Sequence, residues 1–222
     1  MKMLALSGSR NHEGRTAKAI NALQEGFAKG GGATETLFLL DLNIERCRQC
    51  EIDGWGICRN KGVCIIEDDF QSVVDKIKAA DLAVFANPVY FGDLSEIMRS
   101  FTDRLRRVRF HAPIPTAAGG AVPQGALAAP RTVGAPGTPG VPGIVGQPAI
   151  ALCLSGGGGG GAPTAMVNLE RVLQGCRFNL VDMILMRRQN FELKLNVLKL
   201  TGEWFSKPEH LINTPPPPRP GD

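Results

Sequence analysis

Apolar residues follow two rhythms along this chain. Short, nearly unbroken apolar runs lie at Lys2–Leu6, Thr36–Leu40, Leu82–Ala86, Ile150–Leu154 and Val181–Met186. Runs of that length with apolar residues at consecutive positions are what strands covered on both faces require. Between them the apolar positions recur every three or four residues, the period of a helix with one buried face. Helices are predicted at Thr16–Lys29, Asp69–Ala80, Leu94–Val108, from Pro163 to about Cys176, and at Asn190–Phe205. The predicted inward faces are Ile20/Leu23/Phe27, Phe70/Val73/Val74/Ile77, Leu94/Ile97/Met98/Phe101/Leu105 and Leu193/Val197/Leu200/Trp204. Punctuation agrees: Gly30-Gly31-Gly32 stops the first helix, Asp68 is a candidate N-cap, and Pro163 suits a first helical turn. Five strands alternating with five helices predict an α/β fold with a parallel sheet covered on both sides.

Composition changes this picture in two places. Residues 111–149 hold eight Gly, eight Pro and one formally charged residue, Arg131, and residues 208–222 hold six Pro. Neither stretch sustains apolar periodicity, so both read as attachments. The expected organisation is one domain made of 1–110 and 150–207, a Gly/Pro-rich insert at 111–149 and a Pro-rich tail at 208–222. Within the insert Gly134, Gly137, Gly140, Gly143 and Gly146 recur every third residue. This collagen-like pattern is compatible with a triple-helical stalk or with an extended polyproline loop, and five triplets bury too little to favour the stalk. The insert follows a helix returning to the amino edge of the sheet, so it is expected to begin far from a site at the carboxyl edge and to act as a spacer or interaction segment.

Net charge is +4 over 222 residues, with no block of Lys or Arg, which gives no footprint for nucleic acid. No apolar run reaches membrane-spanning length, and the opening run turns polar at Ser7, so the expectation is a cytoplasmic protein. In that compartment six cysteines point to metal or redox chemistry before disulfides.

Ligands of doubly wound sheets lie beyond the carboxyl ends of the strands. After strand one, Ser7-Gly8-Ser9-Arg10-Asn11-His12-Glu13-Gly14-Arg15-Thr16 leads into a helix. Free N–H groups, hydroxyls and guanidinium groups there suit a phosphate, although the segment is neither a GxGxxG fingerprint nor a P-loop. After strand three, Pro88-Val89-Tyr90-Phe91-Gly92 places two aromatics where they can wall a planar ring. After strand four, Ser155 precedes six glycines, Gly156–Gly161, a run that lets backbone approach a ligand closely. Each loop also has a plainer reading: a polar turn, a core cap, a slack connection.

Together these three loops, with Phe101-x-Asp103-Arg104, resemble the flavodoxin-like NAD(P)H-dependent FMN reductases, and more closely their iron–sulfur flavoprotein branch. The resemblance implies a five-stranded sheet in the order 2-1-3-4-5. It implies an FMN phosphate at Ser9, Arg10, Gly14, Arg15 and Thr16. It places the isoalloxazine ring at Pro88, Val89, Tyr90, Phe91 and Gly92 and at Ser155, Gly156, Gly157, Gly158 and Gly159. NAD(P)H as electron donor, an unidentified acceptor and a homodimer or homotetramer follow from the same likeness. Arg15, where the family has a small or amide residue, and the long insert depart from it.

Cys47-x2-Cys50-x7-Cys58-x5-Cys64 lies between strand two and the next helix. Four thiols within eighteen residues suit one metal or cluster, with tetrahedral zinc, a thiol–disulfide pair and uncommitted cysteines as alternatives. The iron–sulfur flavoproteins carry a compact motif here that binds a [4Fe–4S] cluster; Asp53 stands at its third position and an insertion moves that ligand to Cys58. Trp55 and its flanking glycines form a candidate cover for the sulfurs. Cys153 and Cys176 are expected in the core, His12, His111 and His210 at the surface, and Asp103 and Arg104 paired with each other or across a subunit contact. The function expected is FMN-dependent redox chemistry without a side-chain acid or base; the alternative is a non-enzymatic zinc-binding scaffold or sensor.

Overall fold

The computed structural model describes residues 1–108, 144 and 146–211. Strands β1 (Lys2–Ser7), β2 (Ala33–Phe38), β3 (Leu82–Val89), β4 (Pro148–Ser155) and β5 (Asn179–Met186) form one parallel sheet in the order β2-β1-β3-β4-β5. β1, β3 and β4 are buried almost throughout, because helices cover both faces. Helices α3 (Phe70–Ala79), α4 (Glu96–Val108) and α5 (Ala162–Gly175) supply one core, in which Phe70, Met98, Phe101 and Leu169 meet Leu4, Leu6 and Phe85. Helices α1 (Arg15–Lys29) and α6 (Phe191–Phe205) supply the other, in which Ile20, Leu23, Phe27 and Leu198 meet Met3, Val84 and Ile150. A short α2 spans Cys58–Lys61 and was not expected from the sequence.

Several boundaries differ from the sequence expectation for local reasons. β2 starts at Ala33, directly after the glycine stop, and hands over to a 3-10 turn at Leu39–Asp41. It is an edge strand, so its polar Thr34 and Glu35 are tolerated while register with β1 holds Lys2 opposite Ala33. β4 begins at Pro148, inside the stretch read as insert, and Ile144 is also buried. After α6 a 3-10 turn at Pro208–Leu211 buries Leu211, so the packed chain extends past 207. The remaining insert and tail, with all the collagen-like triplets but Gly146, lie outside the described residues.

The expected inward face of α6 is a correction. Leu193, Leu200 and Trp204 are more than half exposed and Val197 is also exposed, whereas Leu198, Gly202 and Phe205 are buried. The buried stripe runs through a glycine because α1 and α6 cross closely at Gly26 and Gly202. A Cβ on Gly202 would stand 2.0 Å from the Leu23 carbonyl oxygen, and one on Gly26 1.9 Å from that of Lys199. Asp103 and Arg104 do not pair either: Asp103 meets Arg106 at 3.1 Å, and Arg104 turns inward to Asp68. Cys153 and Cys176 are in the core, and burial pushes the Cys153 thiol up to about 12. Among the described residues no helix is long and apolar enough to cross a membrane.

Candidate functional site

The first site lies where the connections after β1, β3 and β4 meet, an open cleft of about 650 Å³. Its β1 side is a chain of local turns. The Ser9 N–H bonds Ser7 Oγ at 3.3 Å, the Asn11 N–H bonds Ser9 Oγ at 3.2 Å, and the Glu13 N–H bonds Asn11 Oδ1 at 2.9 Å. These turns deliver the chain to Gly14, whose extended backbone starts α1 with no side-chain cap and no acidic residue in the first turn. The first-turn N–H groups of a fifteen-residue helix therefore border the cleft without a side-chain cap among the described residues. Ser9, Gly14, Arg15, Thr16 and Lys18 line this end.

The β3 side is fixed from within. Buried Asn87 donates to the Pro88 carbonyl at 2.8 Å and accepts the Ser95 N–H at 2.9 Å. A tight turn then closes between Tyr90 and Asp93, with Phe91 at φ 51° and Gly92 at φ 77°. Asp93 ties the turn down, accepting the Leu94 N–H at 2.7 Å, Arg99 at 2.6 Å and Asn168 at 3.0 Å. Those bonds, led by that of Leu94 and opposed by partial desolvation, hold its carboxyl below the usual range. Pro88, Val89 and Tyr90 line the cleft. Phe91 does not: it stands fully exposed at the tip of the turn.

The β4 side is Ser155 and Gly156–Gly160. Among the described residues a Cβ on Gly157, Gly158 or Gly160 would meet nothing within 4 Å, so they leave this backbone bare, and one on Gly156 would reach the Arg15 guanidinium at 3.4 Å. Gly161 instead touches Gly92: its Cβ would lie 2.4 Å from the Gly92 Cα. Gly92 and Gly161 thus lock two cleft loops together without lining the cleft. A cleft of this size, lined by hydroxyl, guanidinium and helix-start donors, a tyrosine and bare backbone, fits the phosphate and ring of FMN.

Arg10 is the predicted phosphate residue that the structure places elsewhere. It lines a second cleft of about 380 Å³ with Arg46, Ser95 and Ser100, separated from the first by Tyr90, which borders both. Asn11, Lys18 and Gly160 line the first cleft and were missed; the Asn before a glycine-containing turn was the available signal.

The four cysteines Cys47, Cys50, Cys58 and Cys64 all border one small cavity of about 20 Å³. Trp55 borders it too, on a turn in which the Gly54 N–H bonds the Glu51 carbonyl at 2.8 Å and the Glu51 N–H bonds that of Trp55 at 2.8 Å. Arg107 lies 5.1 Å from the Trp55 ring and donates to the Gly54 carbonyl. Among the described residues no three Cys, His, Asp or Glu side chains stand close enough to hold a metal. Arg104 and Arg107 border the cavity, and the Nε of each is buried without a hydrogen-bond partner among the described residues. Four sulfurs are the donor set of a metal or cluster site, and the two buried guanidinium groups carry the countercharge that a four-thiolate complex, net negative overall, would meet.

The family described as NADPH-dependent FMN reductase matches residues 1–135, more than half of the chain. An iron–sulfur flavoprotein of Methanocaldococcus jannaschii is 33% identical over 126 residues, covering 57% of this chain and 63% of its own. One of Methanosarcina thermophila is 33% identical over 113 residues, covering 50% and 56%. The chain thus spans less than two thirds of the curated relatives' own length. Among solved structures, an NAD(P)H:quinone oxidoreductase from Methanothermobacter marburgensis superposes with a TM-score of 0.59 at 16% identity, covering 93% of this chain and 98% of its own. A flavone reductase gives 0.61 at 17%, covering 93% and 62%. At such identities the structural likeness concerns the flavodoxin-like fold. With the sequence match running across the β1 and β3 connections that build the first cleft, the chain belongs to the NADPH-dependent FMN reductase family.

Proposed function

We propose that the protein is an FMN-dependent oxidoreductase that takes electrons from a nicotinamide nucleotide and passes them to a separate acceptor in the cytoplasm. The observation that carries this is the first cleft, lined by an uncapped helix start, Arg15, Tyr90 and bare glycine backbone. Ser9, Gly14, Arg15 and Thr16 hold the phosphate. Pro88, Val89, Tyr90 and Ser155–Gly159 hold the ring. Bound FMN would supply the redox chemistry, hydride and single-electron transfer. The chain's own work is to fix the ring's depth, supply backbone N–H groups along its edge and leave one face open. Cys47, Cys50, Cys58 and Cys64 would hold an iron–sulfur cluster, which would supply one-electron transfer, with the buried guanidinium groups of Arg104 and Arg107 beside it. Zinc on the same four sulfurs is the second reading, because it draws on the same cations.

One anaerobic absorption spectrum, with iron, zinc and flavin counts, tests both. A flavin band at about 450 nm with one FMN per chain is expected, together with a broad iron–sulfur shoulder that bleaches on reduction. A colourless zinc protein would overturn the flavin reading; flavin without iron would overturn the cluster alone. Arg15→Ala is expected to weaken FMN binding on the order of tenfold by loss of one charge-assisted phosphate contact, measured by fluorescence titration of the apoprotein.

We also infer a homo-oligomer built on α6. Its exposed stripe, Leu193, Val197, Leu200 and Trp204, has gaps of four, three and four residues, which read the same in both directions. Two copies packed antiparallel about a two-fold axis therefore match along the whole stripe. Leu200→Asp is expected to convert a dimer to a monomer in sedimentation equilibrium; an unchanged mass would exclude this face.

A further inference from the structure

The second cleft has a chemistry of its own. Its walls come from three connections at the carboxyl edge of the sheet: Gly8 and Arg10 after β1, Leu40, Ile44 and Arg46 after β2, and Ser95, Glu96 and Ser100 at the start of α4. Most nearby arginines are matched to carboxylates: Arg48 to Glu45, Arg99 to Asp93, Arg104 to Asp68. Arg10 and Arg46 are exposed and have no ion pair or side-chain hydrogen bond among the described residues. Among the described residues Glu96 is the one acidic side chain on the wall, and it bonds neither of them. Two guanidinium groups from different loops, with one carboxylate and the start of a thirteen-residue helix, leave the cleft net positive.

The remaining lining mixes two kinds of residue. Ser95 and Ser100 add hydroxyls to the wall, while Leu40, Ile44 and Ile97 offer apolar surface. Tyr90 forms the shared wall with the first cleft. A ligand suited to this arrangement has an anionic group at one end and a flat, less polar portion that reaches Tyr90. A cleft of about 380 Å³ admits a small organic molecule.

We propose that this second cleft binds the anionic group of the small molecule that exchanges electrons with the flavin, clamped between Arg10 and Arg46, with the reacting portion directed past Tyr90 toward the first cleft. The proposal rests on the reading of the first cleft as the FMN site. The anion is a phosphate, carboxylate or sulfonate, and belongs either to the nicotinamide donor or to the acceptor. The arginines are specificity residues: they select and orient a charged substrate.

The full chain, saturated with FMN so that the first cleft is filled, is titrated calorimetrically with inorganic pyrophosphate. Flavin content is measured separately, so loss of the flavin reading shows as a protein that holds no FMN, whatever pyrophosphate does. In the Arg10→Ala/Arg46→Ala double variant FMN affinity is expected to stay within twofold of the wild type while pyrophosphate affinity falls at least tenfold per arginine, and more at low salt, as loss of charge-assisted bonds requires. Undiminished pyrophosphate binding in that variant overturns the proposal. So does loss of FMN with it, which would place the arginines in the flavin site. Steady-state kinetics then separate the two sources. A tenfold rise in KM for NADH and NADPH with an unchanged KM for a sulfonated quinone assigns the anion to the donor, and the reverse assigns it to the acceptor. Unchanged KM values for all three overturn the functional role.

Discussion

Arg104→Met is expected to destabilise the protein by about 3–5 kcal/mol, the range for stripping one partner from a buried ion pair. The Arg104 side chain is 1% exposed and that of Asp68 0%. The guanidinium meets both carboxylate oxygens, donates to the Glu45 carbonyl at 2.9 Å and lies 4.1 Å from the Phe70 ring. Asp68 in turn accepts the N–H groups of Glu45 at 2.8 Å and Phe70 at 3.2 Å. One pair thereby fastens α4 to both ends of the segment that carries the four cysteines. Without the guanidinium, Asp68 stays buried with two neutral donors. The pH dependence follows from its carboxyl. Desolvation raises its pKa, but the Arg104 hydrogen bond and the two backbone N–H groups outweigh that and leave it below the ordinary 3.8. A depressed folded-state pKa means stability that is present above the unfolded value and lost as pH falls through the folded one. In Arg104→Met the depression goes, so the deficit is expected to be largest near neutrality and to shrink below about pH 4, where Asp68 can take a proton. Urea unfolding of both proteins at neutral and acid pH checks it; a deficit under 1 kcal/mol, or one that grows in acid, would be the wrong result.

Arg104 also marks where sequence reading stops. The strands were legible because interior strands of a parallel sheet announce themselves as apolar runs, as in Leu82–Ala86 and Ile150–Leu154. β2 was displaced because an edge strand needs no such run, and the apolar pair Leu39-Leu40 belongs to the turn beyond it. The loops of the first cleft could be found from glycine and hydroxyl placement, since backbone access to a ligand restricts residue type. A charge carries no comparable mark. Nothing in the sequence says that Arg104 turns inward to a carboxylate 36 residues away, that Arg10 faces a different cleft from Ser9, or that Arg107 stands over Trp55. Cysteine spacing did indicate that four thiols share one place, but not the two buried cations beside them. The α6 face failed for the complementary reason. Hydropathy periodicity follows large apolar side chains, and the contact that sets the rotation of this helix is made by a residue with no side chain.

That contact gives the second large effect. Gly202→Ala is expected to lower stability by about 2–3 kcal/mol, although alanine is the better helix former by about 1 kcal/mol. The sign is set by what the new methyl meets. Its Cβ would lie 2.0 Å from the Leu23 carbonyl oxygen and 2.8 Å from the Phe27 nitrogen, both backbone atoms inside α1. No rotamer change relieves this, so α1 and α6 must separate by more than 1 Å, roughly the gap between 2 Å and van der Waals contact, and Leu23, Phe27, Leu198 and Phe205 lose packing with it. The consequence reaches the cleft, because α1 begins at Gly14 and its first turn carries Arg15 and Thr16. Weaker FMN binding should accompany the lower stability even though Gly202 lies far along the partner helix. Gly175→Ala is the matched control: it ends α5, among the described residues its Cβ would meet nothing within 4 Å, and it is expected to be neutral or to stabilise slightly. Thermal and urea unfolding, with FMN titration of each variant, decide the matter. A Gly202→Ala protein as stable as the Gly175→Ala control would mean that the two helices do not cross through their glycines.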